Sequence, residues 1–498
     1  MPLRRSTRLP IAVLVLLALV AAACTGEPTP AQGPTSPRAR EAAPAHGARG
    51  DAAGRDAAEE LEEQAERTEG RLEALAEAAA AGGLGRIGPL RRAPAPGWAG
   101  QRLLNPTGDD WEPAIAADPS RPFVYVLHNR YGGEPACRRR CPDPAMILHV
   151  SRDGGRTFGP ERYLCRCKGV KGQHDPLIEV VPATGEVIAA WMNDFQVHVS
   201  RSTDRGRTWS RPVHVHPDVR WGDKPILTVS EDGRDVYVAF NGPTAGDGYV
   251  SASHDGGLTW TAVRANRGER YRFAYGGQVL PDGAVVFTEI SFSYTGPGGE
   301  AEGPVRIHAV RSVDGGATWT DSVVDELELG PPCTSRGCYR DFHDSGPALA
   351  TDEDGDLVIV YSGAADPGGP RTVYARASTD GGQTWSARVR LSRRDVNAAF
   401  AAAVGVGDDE VRVSFMDQRG GRWNVRYRAS GDLGTTWSRP LRISDAWSGT
   451  AYKDRSGFLE VYGDYGEIAV TNRGRTVAVW GEGTSYFGPG GVWFNRQR

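Results

Sequence analysis

The sequence shows little imbalance of charge. Its 58 Lys and Arg side chains meet 62 Asp and Glu, a formal net charge of -4, so nothing in it marks a nucleic-acid partner. Long apolar runs are missing beyond the first twenty or so residues, which excludes a polytopic membrane protein. Cysteine is sparse, at 7 in 498 residues, and no Cys-x-x-Cys pair offers thiolates to a metal. What the chain has in quantity is glycine, 64, and tryptophan, 13. That composition suits many tight turns around packed aromatics, and neither a helical bundle nor a disordered chain.

Residues 1–23 read as a targeting signal. Arg4, Arg5 and Arg8 precede the apolar stretch Ile11 to Val20, which is too short to span a bilayer stably. Ala21-Ala22-Ala23-Cys24 then resembles a bacterial lipoprotein signal, with Cys24 lipidated; cleavage after Ala23 to give a secreted protein is the alternative. Removing Cys24 leaves an even set for disulfides in an exported chain: Cys137, Cys141, Cys165, Cys167, Cys333 and Cys338. Residues 24–100 are rich in Ala, Pro, Gly, Glu and Arg and read as a low-complexity linker. Within it, Asp51 to Ala81 predicts a solvated helix. The expectation is a monomer on the bacterial cell surface, held to the membrane only by its lipid, with 101–498 as the folded domain.

Self-similarity is the strongest signal in that domain. Ser-x-Asp-x-Gly-x-Thr-Trp/Phe occurs six times, with aspartates Asp153, Asp204, Asp255, Asp314, Asp380 and Asp432. Each carboxylate can accept hydrogen bonds from the amides of its own turn, and the glycine supplies a positive φ. The terminal ring, Phe158 in the first copy and Trp209, Trp260, Trp319, Trp385 and Trp437 in the others, can wedge between neighbouring sheets. The pattern resembles the Asp-box (BNR) repeat of sialidases and related β-propellers. The resemblance implies an all-β fold with each box on the hairpin between third and fourth strands, away from the active face.

A pair of short apolar strands recurs before each box and once more at the end, giving seven starts. The last unit has three strands and no box, and Gln101 to Asn105 can supply its fourth. A ring closed by both chain ends leaves no exposed sheet edge, so seven four-stranded blades are expected, with six as the alternative.

Strand polarity then sorts the loops. With the boxes at the bottom, residues before first strands and after second strands lie on top. They are Asp110, Glu112, Asp175, Asp223, Asp344 and Asp464, then Arg130, Asp194, Glu289, Asp417, Arg419 and Glu482. Such an acidic ring around a channel mouth can hold a cation such as Ca²⁺, raise the pKa of a general acid, or stay individually solvated. Cys137 and Cys141 also fall on top, near Cys165 and Cys167, which suggests a double staple between the two pairs. Cys333 and Cys338 would close a local loop. Asp352-Glu-Asp354-Gly-Asp356 is similar to a calcium loop but lacks the terminal Glu, so a hairpin turn is expected there.

The resemblance to sialidases also implies site residues. Tyr465-Gly-Glu-Ile468, Gly474 and Trp480-Gly-Glu482 are similar to the family's final-unit pattern, which puts Tyr465 as the nucleophile and Glu482 as the acid that orients an arginine. Glu289 joins them as a catalytic candidate. The family's arginine triad is not recognisable, since Trp111-Glu112-Pro113 stands where Arg-Ile-Pro would be. The expected function is glycan binding at the mouth, with or without hydrolysis, through Asp175, Asp223, Asp344, Asp417, Arg419 and Asp464. Trp111, Trp221, Tyr275, Trp191 and Trp480 are candidates to stack on sugars. An active exo-α-sialidase and a non-catalytic scaffold for a surface protein are the alternatives. A scaffold should show a broad exposed apolar patch.

Overall fold

The computed structural model describes residues 93–132, 141–242, 247–266, 270–294, 301–331, 346–419, 422–444, 453–454, 457–458, 466–483 and 490–498. The leader, Cys24 and the helix expected within the linker lie outside them. Among the described residues there is no helix. The strands form seven four-stranded antiparallel sheets, in sequence order within each blade, and one short hairpin at Lys453–Asp454 and Gly457–Phe458.

Blade 1 runs through Asp109–Ala117, Val124–Tyr131, Ala145–Ser151 and Arg162–Tyr163. Blade 2 is Gln173–Val180, Val187–Asn193, Gln196–Ser202 and Val213–His214, and blade 3 is Asp223–Val229, Val236–Asn241, Gly248–Ser253 and Thr261–Arg264. Blade 4, with the longest strands, is Tyr271–Val279, Val285–Tyr294, Ala301–Ser312 and Thr320–Leu327. Blade 5 comprises Ala348–Thr351, Leu357–Gly363, Thr372–Ser378 and Val389–Arg390; blade 6 comprises Ala398–Val406, Glu410–Arg419, Arg422–Ser430 and Leu441–Arg442. Blade 7 joins Gly466–Val470, Thr476–Gly483 and Gly490–Arg496 to Arg102–Leu103 from the start of the domain. The first strands neighbour one another in a closed cycle, blade 7 against blade 1 included. This is a seven-bladed β-propeller, closed by both chain ends as the repeat count required.

The closure reaches further back than residue 101. Trp98 pairs with Gln497, is buried, and lies edge-on to Tyr427 with ring centroids 5.1 Å apart. A residue assigned by composition to the linker is thus part of the core.

The six boxes repeat one hydrogen-bond pattern. In the first, Thr157 donates to Asp153 through its amide (2.9 Å) and its hydroxyl (2.6 Å), and the Gly155 amide donates to Ser151 Oγ at 2.9 Å. The Thr208 and Thr318 hydroxyls and amides likewise hold the Asp204 and Asp314 carboxyls down at about 2. Each terminal ring packs against the cluster shared with the preceding blade, Phe158 between blades 7 and 1 and Trp209 between blades 1 and 2. The boxes also receive an arginine from the blade before. Arg102 donates to the Gly155 and Arg156 carbonyls at 2.6 Å, Arg162 to Gly206 at 2.7 Å, and Arg201 to Gly256 at 3.0 Å. The aspartates are turn-builders that lock each blade to its neighbour.

Candidate functional site

A first strand at the centre of a propeller has one edge with no partner strand, and its amides need acceptors from elsewhere. Here the neighbouring blade supplies them. Glu467 of blade 7 accepts the Ile115 amide at 2.7 Å, Glu112 accepts that of Asp175 at 3.3 Å, and Asp175 accepts that of Lys224 at 3.2 Å. Gln278 of blade 4 donates to the Leu349 carbonyl at 3.1 Å. Side chains therefore link the inner strands of blades 7, 1, 2 and 3 in succession, and those of blades 4 and 5.

The upper ends of these strands are strained. Register breaks between Trp111 and Ala114, His174 and Leu177, Asp223 and Ile226, and Ala399 and Ala402. The first extra residue in each bulge is left-handed without being glycine: Glu112 (φ 53°), Asp175 (52°), Lys224 (48°) and Phe400 (55°). In blades 1 to 3 a proline follows, Pro113, Pro176 and Pro225, which donates nothing to the ladder and sets the strand's new direction. Blade 4 bulges at Tyr275, between Ala274 and Gly276. Such conformations cost about 1–3 kcal/mol each and tend to cluster where function needs them. Counted back from the closing pair of each strand, Ala117 with Val124, Val180 with Val187, Val229 with Val236 and Val470 with Thr476, Tyr465 occupies the sequence position of Glu112, Asp175 and Lys224.

Tyr465, Asp464, Asp344, Cys137, Cys333 and Cys338 lie outside the described residues. Glu482 takes its expected place at the end of the second strand of blade 7, opposite Gly491. Asp223 is buried at the start of blade 3 and pairs with Asn241. Asp417 is fully buried between Arg419 and Arg426, each 2.7 Å away. Among the described residues, no group of three or more His, Cys, Asp or Glu side chains is placed to hold a metal ion. Asp352 accepts the amides of Asp354 (3.1 Å) and Asp356 (2.9 Å), making the expected hairpin turn.

Three expectations need correction. Glu289 does not join a ring of carboxylates at the mouth. It is buried between blades 3 and 4, accepting from Asn266 at 2.7 Å and pairing with Arg272 at 3.3 Å. Arg272 continues to Asp321 (2.5 Å), Asp321 to His308 (2.8 Å), and His308 to Ser291 (2.8 Å). Burial pushes the Glu289 carboxyl up to about 7, with Arg272 opposing it. Cys165 and Cys167 bond to each other rather than to the other pair, because the bridge closes within one connection. Trp111, Trp191 and Trp480 are core side chains with at most 1% exposure, so none can offer a face to a sugar. Trp221 and Tyr275 remain half-buried at the upper face.

Two features escaped sequence reasoning. Glu179, on the inner strand of blade 2, is pushed up to about 8 by burial and by the charge of Glu467. The hairpin Asp194-Phe195 places both residues at positive φ, 50° and 62°. Its Phe195 ring stacks on Trp221 with centroids 5.5 Å apart. In sequence, only the two aspartate–aromatic neighbours hint at it.

Repeats and ring together define a seven-bladed Asp-box β-propeller. The BNR/Asp-box repeat family matches residues 376–387, the box of blade 5. A sialidase of Micromonospora viridifaciens is 26% identical over 314 residues, covering 55% of this chain and 44% of that protein. This chain therefore matches less than half the length of that relative. Among solved structures, a Dyadobacter fermentans protein of unknown function has a TM-score of 0.45 at 14% identity, covering 80% of this chain and 98% of that one. A Hadza microbial sialidase gives 0.43 at 17%, covering 79% and 66%. An ulvan lyase gives 0.47 at 12%, covering 80% and 94%.

Proposed function

We propose that the upper face of the propeller binds glycans. The observation that carries this reading is the set of strained, non-glycine bulges at Glu112, Asp175, Lys224 and Phe400, all at the upper ends of inner strands. The similarity to a sialidase over about half the chain supports it. Hydrolysis, where it occurs, would use Tyr465, which occupies the corresponding position in the sequence of blade 7. Trp111 stands where a sialidase would place an arginine, and the carboxylate of Glu112 beside it faces Asn129 and the Asp175 amide. That acidic centre is unsuited to gripping a sialic-acid carboxylate. The scaffold reading lacks its mark among the described residues, whose exposed large apolar side chains are Leu258 and Val313, in the boxes of blades 3 and 4, and Val323 on an outer strand.

A glycan array probed with the full-length protein tests the reading, followed by release assays on the hits with wild type and Tyr465→Phe. Retention of one glycan class is expected, with Tyr465→Phe abolishing release and leaving binding intact. No retained glycan would overturn it.

A further inference from the structure

We propose that the upper rim where blades 1, 2 and 3 meet is a subsite for an anionic sugar, built from the face of Trp221 and a cationic strip at Arg166, Lys168 and Lys171. The inference rests on the glycan-binding reading and adds the chemical class of the ligand.

The strip lies in the connection between blades 1 and 2, and its three cations are exposed. The backbone beneath them is tied at several points. Cys165 and Cys167 are bridged, and Asn193 Nδ2 donates to Cys167 Sγ at 3.8 Å. The Val170 amide donates to the Cys167 carbonyl at 3.2 Å, and the Asp143 amide to that of Lys171 at 2.7 Å. The Lys171 and Gly172 amides donate to the Asp194 carboxylate at 3.0–3.1 Å. This last contact has an electrostatic consequence. The Asp194 carboxylate faces backbone amides rather than a cationic side chain, and Asp143 accepts the Gly132 amide at 2.9 Å. No carboxylate among the described residues pairs with Arg166, Lys168 or Lys171, and Arg166 lies 5.7 Å over the Tyr163 ring. Three exposed cations with no directly paired carboxylate outnumber the one acid held at their backbone, and such a strip attracts an anion.

The aromatic half hangs from the same turn. Asp194 grips the cationic connection, and the next residue, Phe195, stacks on Trp221 at an interplanar angle of 25°. The Gly222 amide donates to the Phe195 carbonyl at 2.9 Å, which holds Trp221 in place. Left-handed φ is a costly setting for a phenylalanine, and here it couples two surfaces of different chemistry. Phe195 is buried and Trp221 half-buried, so the indole is backed by a ring and its exposed part is what could meet the apolar face of a sugar. A carboxylate or sulfate on that sugar, or on its neighbour in the chain, would meet the strip. The acid group thus belongs on the rim, away from the carboxylates of the channel mouth.

Calorimetric titration of the full-length protein with an oligogalacturonide, a chondroitin sulfate oligosaccharide and a neutral galactan of equal length tests this. At least one acidic probe should bind about tenfold more tightly than the neutral one, with the advantage falling as salt rises. Lys168→Gln/Lys171→Gln should erase that advantage and leave neutral binding unchanged. Trp221→Ala should weaken acidic and neutral binding alike by about tenfold, while Trp221→Phe keeps most of the affinity. Equal affinity for acidic and neutral probes, or an unaffected lysine double variant, overturns the subsite and leaves the glycan-binding reading standing. Binding of a DNA oligonucleotide or phosphatidylglycerol vesicles as tightly as the acidic sugars, and unaffected by Trp221→Ala, also overturns it. Failure of every sugar to bind removes both.

Discussion

Replacing Glu467 with glutamine should stabilise the protein, and only on the alkaline side. Glu467 accepts the Ile115 amide at 2.7 Å, and burial pushes its carboxyl from 4.5 up to about 7. Glu179 is pushed to about 8 by burial and by the charge of Glu467. In the unfolded chain both groups lose their protons near 4.5, so the folded state holds more protons above that pH. The stability from the neutral pair is complete below about pH 4.5 and is lost as pH rises through 7 to 8. At about 1.4 kcal/mol per pKa unit, Glu467 alone carries a penalty of at most about 3.5 kcal/mol. Its partial exposure lowers the expected value to about 1–2 kcal/mol. Glutamine still accepts the Ile115 amide and cannot ionise, so it removes the penalty and keeps the hydrogen bond. For a domain of this size that is a rise of about 1–4 °C in Tm near pH 9, with almost none near pH 4.5. Scanning calorimetry across the pH range checks it, with Glu179→Gln and the double variant included. The two single gains should sum to more than the double gain, since either substitution removes their mutual repulsion. An equal shift at both ends of the range would refute the electrostatic reasoning.

The other expectations are narrower. Gly155→Ala should destabilise by about 2–4 kcal/mol, because φ is 79° and the new Cβ would lie 2.6 Å from Phe494. Gly154→Ala, at φ 74° with open space around it, should cost only about 1 kcal/mol in the same urea titration. His128 and His149 share one contact, Nε2 to Nε2 at 3.0 Å, and burial holds His149 down to about 3. Both stay neutral when folded yet protonate near 6.5 when unfolded, so His149→Gln should flatten the loss of stability on acidification below that pH. Cys24→Ser should move the protein from the membrane fraction to the medium, as read by immunoblot.

What could be read from the sequence was whatever repeats. Six boxes, seven strand pairs and a spare strand at Gln101 to Asn105 determine the ring, since each signal is local and recurs in register. The site was less legible because its contacts cross blades. Glu289 has the right place on its strand, but Asn266 and Arg272 come from elsewhere in the chain and draw it between two sheets. Trp111 looks like a sugar platform until Gly490 of blade 7 is seen packed beneath its indole. The cysteines misled for a related reason: position on a face does not say which neighbour a thiol turns towards. The Asp194–Phe195 turn shows the reverse case, where the usual Asn-Gly signal of such a hairpin is absent and only the backbone discloses it.

The strand Arg102–Leu103 is the outermost of blade 7, and its partner Gly490–Arg496 lies at the far end of the chain. During synthesis the first of the described strands to be made is therefore the last to find its sheet. Six blades can form in order as they emerge, and the Arg102 side chain can take the box of blade 1 early, while the Arg102–Leu103 backbone and Trp98 wait for Gly490–Arg496 and Gln497. The ring therefore closes only once Gly490–Arg496 has been made. A chain stopped before Gly490 leaves the Arg102–Leu103 backbone without its partner strand.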